Sequence, residues 1–212
     1  MITISQLISE MTRQRTLDVK TSKRMSWGNY AECRALFEAI FKEVDKTLIL
    51  YKYLPEYDAI VDWMVDTENK GLLLMGDCGR GKSVIITGVI PVLLRMQNIV
   101  ARAIHAQDLS KQLSRDNPHA YAQRLETNLD YLLRSHFPII DDIGVENHIN
   151  NFGEKAEGVN MIINTAERYH RPLFLTTNLS SQEILNRYGE RTMDRLNHLC
   201  RVIEFNGESL RK

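Results

Sequence analysis

A three-layer α/β architecture, with a parallel sheet covered by helices on both faces, is what this 212-residue sequence predicts. Three observations predict it. From Pro55 onward, apolar runs short enough for buried strands alternate with helical patterns, as successive βαβ units require. The first run, Gly71–Met75, leads into Gly76-Asp77-Cys78-Gly79-Arg80-Gly81-Lys82-Ser83, which fills the eight-position P-loop pattern, and a helical run opens at Val84. A later run, Phe137–Asp141, ends in the acid pair Asp141-Asp142. Strand, glycine-rich turn and helix N-terminus make an anion site, because backbone N–H groups converge on phosphate oxygens with the positive helix end behind them. Nucleoside triphosphate binding is the expected consequence.

Composition narrows the remaining possibilities. Lys and Arg total 27 and Asp and Glu total 27, so any contact with nucleic acid or a membrane surface must come from local patches. No apolar run approaches a membrane span, and the N-terminus lacks the basic-then-apolar pattern of a secretory signal. Cys33, Cys78 and Cys200 are too far apart for metal-ligand spacing, and a reduced cytoplasmic setting is expected.

In chain order, residues 1–52 read as a helical segment and residues 53–212 as the nucleotide-binding domain. Ile4, Leu7, Ile8 and Met11 recur at helical spacing. A basic cluster follows at Arg13, Arg15, Lys20, Lys23 and Arg24, readable as a DNA-contact patch or as a solvated charged stretch. Cys33, Leu36, Phe37, Ile40, Phe41, Val44 and Leu48 form an amphipathic stripe behind a Ser26 cap, which serves either core packing or the docking of a partner helix. Pro55 fits a first helical position, Tyr57, Ile60, Val61, Met64 and Val65 supply the buried face, and Gly71 closes the element. Five strands are expected, at Gly71–Met75, Ile99–Ile104, Phe137–Asp141, Leu173–Thr177 and Arg201–Phe205. The stretch Gly144–Gly158 reads as a long polar loop bordering the ligand crevice.

Each motif carries a chemical expectation. The stretch Gly76, Asp77, Cys78, Gly79, Arg80, Gly81, Lys82, Ser83 and Val84 would wrap the phosphates. Lys82 would reach the β- and γ-phosphates, and the Ser83 hydroxyl would ligate Mg²⁺. Cys78 is either a reactive thiol within the cradle or a tolerant loop position. Asp141 at the strand tip can hold Mg²⁺ through water, and Asp142 can polarise the attacking water, although paired acids also begin turns. Asn178, at the end of the Pro172–Thr177 run, either orients a water against the γ-phosphate or caps the next helix with Ser180 or Ser181. Arg191 and Arg195 share one helix face, as solvent decoration paired with Glu190 and Asp194 or as charges supplied to a neighbouring subunit's γ-phosphate.

Taken together, the P-loop, Ile139-Ile140-Asp141-Asp142-Ile143-Gly144, Thr176-Thr177-Asn178-Leu179-Ser180, Tyr188-Gly189-Glu190-Arg191 with Asp194-Arg195-Leu196, and Phe205-Asn206-Gly207-Glu208-Ser209 resemble the AAA+ superfamily. The resemblance is to the DnaC/IstB branch of helicase loaders and related ATPases, and it runs from about Tyr53 to Lys212. It implies an ATPase using ATP and Mg²⁺, with Asn178 as sensor 1, Arg195 as the arginine finger and Arg191 as a second interface or sensor arginine. It also implies a five-stranded sheet without the helical lid of larger AAA+ proteins, and slow turnover stimulated by oligomerisation or DNA. The implied partners are a hexameric replicative helicase, single-stranded DNA and further copies of the chain in a ring or spiral. An IstB-like transposition ATPase acting with a transposase on duplex DNA is the first alternative. A small-molecule P-loop kinase is the alternative of another class.

Overall fold

Five apolar runs become one parallel sheet in the computed structural model, which describes residues 3–14, 23–46, 51–113, 137–146, 149–151, 154–156 and 158–210. The strands in chain order are β1 (Gly71–Gly76), β2 (Ala103–His105), β3 (Ile139–Ile143), β4 (Ile149–Asn151), β5 (Glu154–Ala156), β6 (Phe174–Thr177) and β7 (Cys200–Phe205). The main sheet runs β2-β3-β6-β1-β7, so β1 and its P-loop lie between the strands that end at Asn178 and at Phe205. Parallel order brings the carboxyl ends of β1, β3 and β6 to one edge, where a ligand crevice is expected.

Two strand expectations shift for local reasons. The Ile99–Ile104 run is strand only from Ala103, because the Ile99 N–H donates back to Leu94 O (2.9 Å) and closes the preceding helix behind Asn98, whose φ is 59°. The Phe137–Asp141 run continues as strand through Ile143. The expected polar loop at Gly144–Gly158 contains an antiparallel strand pair, with Ile149 opposite Ala156, and Gly158 already starts a helix.

The helices are α1 (Ile4–Arg13), α2 (Tyr30–Val44), α3 (Glu56–Val65), α4 (Lys82–Val84), α5 (Ile90–Met96), α6 (Ala106–Leu113), α7 (Gly158–Arg168), α8 (Ser181–Tyr188) and α9 (Glu190–Leu199). A π-helical turn, Ile85–Val89, joins α4 to α5. Pro91 accounts for it. Proline has no N–H and its ring crowds the carbonyl four residues back, and a wider turn relieves that crowding. The Ile90 N–H then bonds to Ile85 O across the wide turn.

Alternation along β1 divides the core. Leu72 and Leu74 face a cluster built from α2, α3 and the P-loop helix, and Leu73 and Met75 face a cluster built from α7, α8 and α9. Cys33, Phe37, Ile40 and Phe41 of α2 are 0–8% exposed and lie in the same cluster as Ile85, Ile86 and Val89. The α2 stripe is therefore core of the nucleotide-binding fold, not a free docking face, and the boundary expected at residue 52 cuts through one hydrophobic cluster. Asn29, not Ser26, caps α2, with Glu32 completing a reciprocal capping box. Leu48 lies outside the described residues. Helix α1 differs from α2. It has its own Thr3–Gln6 capping box, buries no residue, and leaves Ile4, Leu7 and Ile8 exposed.

Candidate nucleotide site

The P-loop is shaped from behind before any ligand arrives. Gly76 has φ 110°, and a Cβ there would lie 2.4 Å from Phe205 O. Gly81 has φ 88°, with the Tyr57 hydroxyl 2.8 Å and the Phe41 ring 3.2 Å from where its Cβ would be. Only glycine lets the loop turn this tightly against β7 and the α2–α3 aromatic cluster. Two of the loop's three charged side chains, Asp77 and Arg80, are committed to the segment behind it. Asp77 accepts from the Gly207 N–H (2.8 Å) through its carboxylate and donates its own N–H to Phe205 O (2.7 Å). Arg80 pairs through Nε with Glu56 Oε1 (2.9 Å) and donates from Nη1 to Glu208 O (3.2 Å). Arg80 thus offers a phosphate its backbone, while its guanidinium braces the loop against α3 and the 206–210 segment. The Cys78 thiol is exposed on the loop, whereas Cys33 and Cys200 are buried.

Lys82 lies at the centre of the crevice. Its ammonium donates to Gly76 O (2.8 Å), Asp77 O (2.6 Å) and Asn178 Oδ1 (3.0 Å). It is 6% exposed, and this desolvation holds its pKa below the ordinary lysine value. Asn178 turns its other end to the acid pair, with Nδ2 donating to Asp142 Oδ1 (3.1 Å). The helix that follows is capped by Ser180 with Glu183, which leaves Asn178 to the crevice. One hydrogen-bonded chain, Lys82–Asn178–Asp142, therefore crosses the tips of β1, β6 and β3.

The acid pair is aimed by a β-bulge. Ile139 and Ile140 pair with Phe174 and Leu175, and Ile143 pairs with Thr177, so Asp141 and Asp142 together oppose Thr176. Asp142 occupies the left-handed region at φ 61°. The buried Thr176 hydroxyl serves both acids, donating to Asp141 Oδ1 (2.5 Å) and accepting from the Asp142 N–H (2.7 Å). Sequence reading missed this residue; the signal available was a polar Thr-Thr pair ending an otherwise apolar strand. His105 was missed as well. Its Nδ1 accepts from the Gln107 N–H (3.3 Å), which leaves Nε2 facing Asp142 Oδ2 at 3.7 Å. A cavity of about 370 Å³, lined by Thr87, Pro91, Arg102, His105 and Asp141 among others, opens beside the acids.

The donor set fits a magnesium ion. Mg²⁺ takes hard oxygen ligands and usually keeps water and substrate phosphates in most positions, so one hydroxyl and one carboxylate suffice from the protein. Ser83 and Asp141 are the residues that would supply that pair, Asp141 standing at the tip of β3 and Ser83 in the first turn of α4. No cluster of three or more His, Cys, Asp or Glu side chains occurs there to suggest an all-protein metal cage.

Arg191 and Arg195 lie on α9. Arg195 donates to Asn164 of α7, and among the described residues neither arginine makes a hydrogen bond or ion pair with Lys82, Asp141, Asp142 or Asn178. Of the basic cluster, Arg15 and Lys20 lie outside the described residues. Arg24 is held in a bidentate ion pair with Asp66, and the guanidinium keeps that carboxyl at about 2. No described helix is long and apolar enough to cross a membrane.

Comparison with known proteins agrees with this fold. The structure is similar to that of the DnaC helicase loader, with TM-score 0.54 and 19% identity over 84% of this chain and 92% of that one. It is similar to DnaI, with TM-score 0.59 and 20% identity over 82% and 94%. It is also similar to AMPPCP-bound DnaA from Aquifex aeolicus, with TM-score 0.52 and 13% identity over 77% and 50%. At these identities the likeness concerns the fold. No curated protein matches the chain. The family profile of IstB-like ATP binding proteins matches residues 30–212, most of the chain and the whole of the sheet, and the chain belongs to that family.

Proposed function

We propose that the chain is a Mg²⁺-dependent ATPase that loads a hexameric replicative helicase onto single-stranded DNA, working as a homo-oligomer whose assembly depends on ATP. The observation that carries the hydrolytic part is the Lys82–Asn178–Asp142 chain. It joins the phosphate-binding cation, a polar group able to hold a water, and a carboxylate able to polarise that water. Bound ATP would take Lys82 from Asn178, so the γ-phosphate and the water-holding group become coupled. Mg²⁺ held by Ser83 and Asp141 would supply charge neutralisation at the phosphates.

The loader role draws support from the similarity to DnaC and DnaI and from the exposed apolar stripe Ile4, Leu7 and Ile8 on α1, which suits capture by a groove on another protein. A transposition accessory ATPase is the second reading, favoured by the IstB-like profile over residues 30–212. Asp142→Asn keeps shape and removes charge, so ATP binding should persist while hydrolysis drops about a hundredfold. Equal loss of both would reassign Asp142 to the metal. Affinity purification from the native cell then separates the partners: a helicase and single-strand preference support the loader, and a transposase and duplex preference support the alternative.

A further inference from the structure

Glu146 is an acidic side chain for which the hydrolytic reading has no use, yet it is only 3% exposed. Burying a carboxylate is unfavourable unless its oxygens are satisfied, so a buried acid beside a catalytic strand calls for a physical role. Its oxygens are satisfied from two directions. Oε2 accepts the Gly144 N–H (2.6 Å), and Oε1 accepts the Tyr188 hydroxyl. Arg187 Nη2 donates to the Glu146 backbone carbonyl (2.6 Å) and stands 3.6 Å from Oε1.

These partners belong to two working parts. Gly144, at φ 103°, forms the turn two residues after Asp142 and packs on Leu179, next to Asn178. Arg187 and Tyr188 end α8, and Gly189, at φ 86°, swings the chain into α9, which carries Arg191 and Arg195. The same carboxylate thus fastens the turn behind the water-polarising acid to the corner from which the arginine helix departs. Asp142 is the place where such a fastening matters, since its left-handed backbone is set by the bulge at Thr176 on one side and by the Gly144 turn on the other.

We propose that Glu146 is a positioning residue that couples the orientation of Asp142 to the placement of the α9 arginines, so that engagement of those arginines by a neighbouring subunit is felt at this subunit's own acid. The kinetic side of this proposal rests on the ATPase reading above; the mechanical side does not.

Glu146→Ala can fail to fold, because it strands two buried donors, so the informative variants are Tyr188→Phe and Glu146→Gln, with thermal melts recorded for each. Loss of the Tyr188 hydroxyl should make the Gly144 amide and the amides of Gly189–Arg191 exchange with deuterium faster together. Steady-state ATPase should show kcat about tenfold lower, with KM and the affinity for a fluorescent ATP analogue within about twofold of wild type. Faster exchange at only one of the two places, unchanged kcat, or a fall no larger than the loss of folded protein would each overturn the coupling. A wild-type protein that binds ATP without hydrolysing it removes the ATPase reading, and the exchange measurement still decides the coupling.

Discussion

Lys82 holds its charge in a desolvated place, against two backbone carbonyls and the Asn178 amide oxygen, and that burial lowers its pKa from the ordinary 10.5. Triphosphate oxygens favour the charged form and raise the pKa again. The sign follows. Below the lowered pKa, Lys82 is protonated in both states and affinity is flat with pH. Above it, binding must take up a proton, so affinity falls as pH rises. By the same linkage the unfolded chain, with its higher lysine pKa, binds more protons, so Lys82 adds to the stability of the ligand-free protein as pH climbs through that window. Calorimetry of ATP-analogue binding across about pH 7 to 10, in buffers of different ionisation enthalpy, measures the uptake. Lys82→Ala should weaken binding and abolish the pH slope together, and a slope surviving in that variant assigns the proton elsewhere. Thr176 offers a second test, since its one hydroxyl meets Asp141 Oδ1 and the Asp142 N–H. Thr176→Val keeps the shape and leaves a buried N–H without an acceptor, a loss of about 1–3 kcal/mol. Turnover should fall about tenfold or more, with Mg²⁺ dependence shifted to higher concentration. Unaltered turnover at unaltered Mg²⁺ would show that the bulge holds the acids without the hydroxyl.

At the scale of elements, α2 works as the back wall of the phosphate loop. Phe41 touches the space behind Gly81, its ring stacks within 5.6 Å of Tyr57, and Tyr57 donates its hydroxyl to Arg80 O at 3.3 Å. Phe41→Ala should therefore destabilise the whole domain by about 3–5 kcal/mol. It should also weaken nucleotide binding even under conditions where the protein stays folded; equilibrium denaturation and analogue titration of one preparation give both numbers. A stability loss with unchanged affinity would separate the α2 wall from the loop. This element also shows what the sequence could and could not reveal. The spacing of Cys33, Phe37, Ile40 and Phe41 announces a helix with an apolar face, but periodicity carries no information about which surface that face meets. The strands were readable for the opposite reason: β1, β3 and β6 are buried on both faces, and continuous apolar runs bounded by turn residues have few other uses. The P-loop was legible because each glycine meets a geometric demand that no other residue meets. Glu146 was not legible. One acid in a polar stretch looks solvated until the fold brings Tyr188 and Gly144 to it.

At the scale of the whole molecule, the decisive matter is that, among the described residues, no arginine joins the hydrogen-bonded chain Lys82–Asn178–Asp142 at the strand tips. Arg191 and Arg195 leave on α9, where Arg195 is held by Asn164. On the proposed function, a second subunit would bring an arginine to this site across a head-to-tail contact, an arrangement that builds rings or spirals. Arg195→Ala subunits should then bind ATP normally and fail to hydrolyse it, because the absent charge belongs to the neighbour's site. Lys82→Ala subunits should fail for the opposite reason, with no nucleotide of their own and an intact arginine to lend. Mixing the two joins an intact phosphate loop to an intact arginine at a fraction of the interfaces. Activity should thus reappear in the mixture and peak at intermediate ratios at fixed total protein. Turnover per wild-type subunit should also fall on dilution as interfaces dissociate. If the arginine acted within its own chain, every subunit in the mixture would carry one complete defect, activity would stay at the level of the inactive parents at all ratios, and wild-type turnover would be indifferent to concentration.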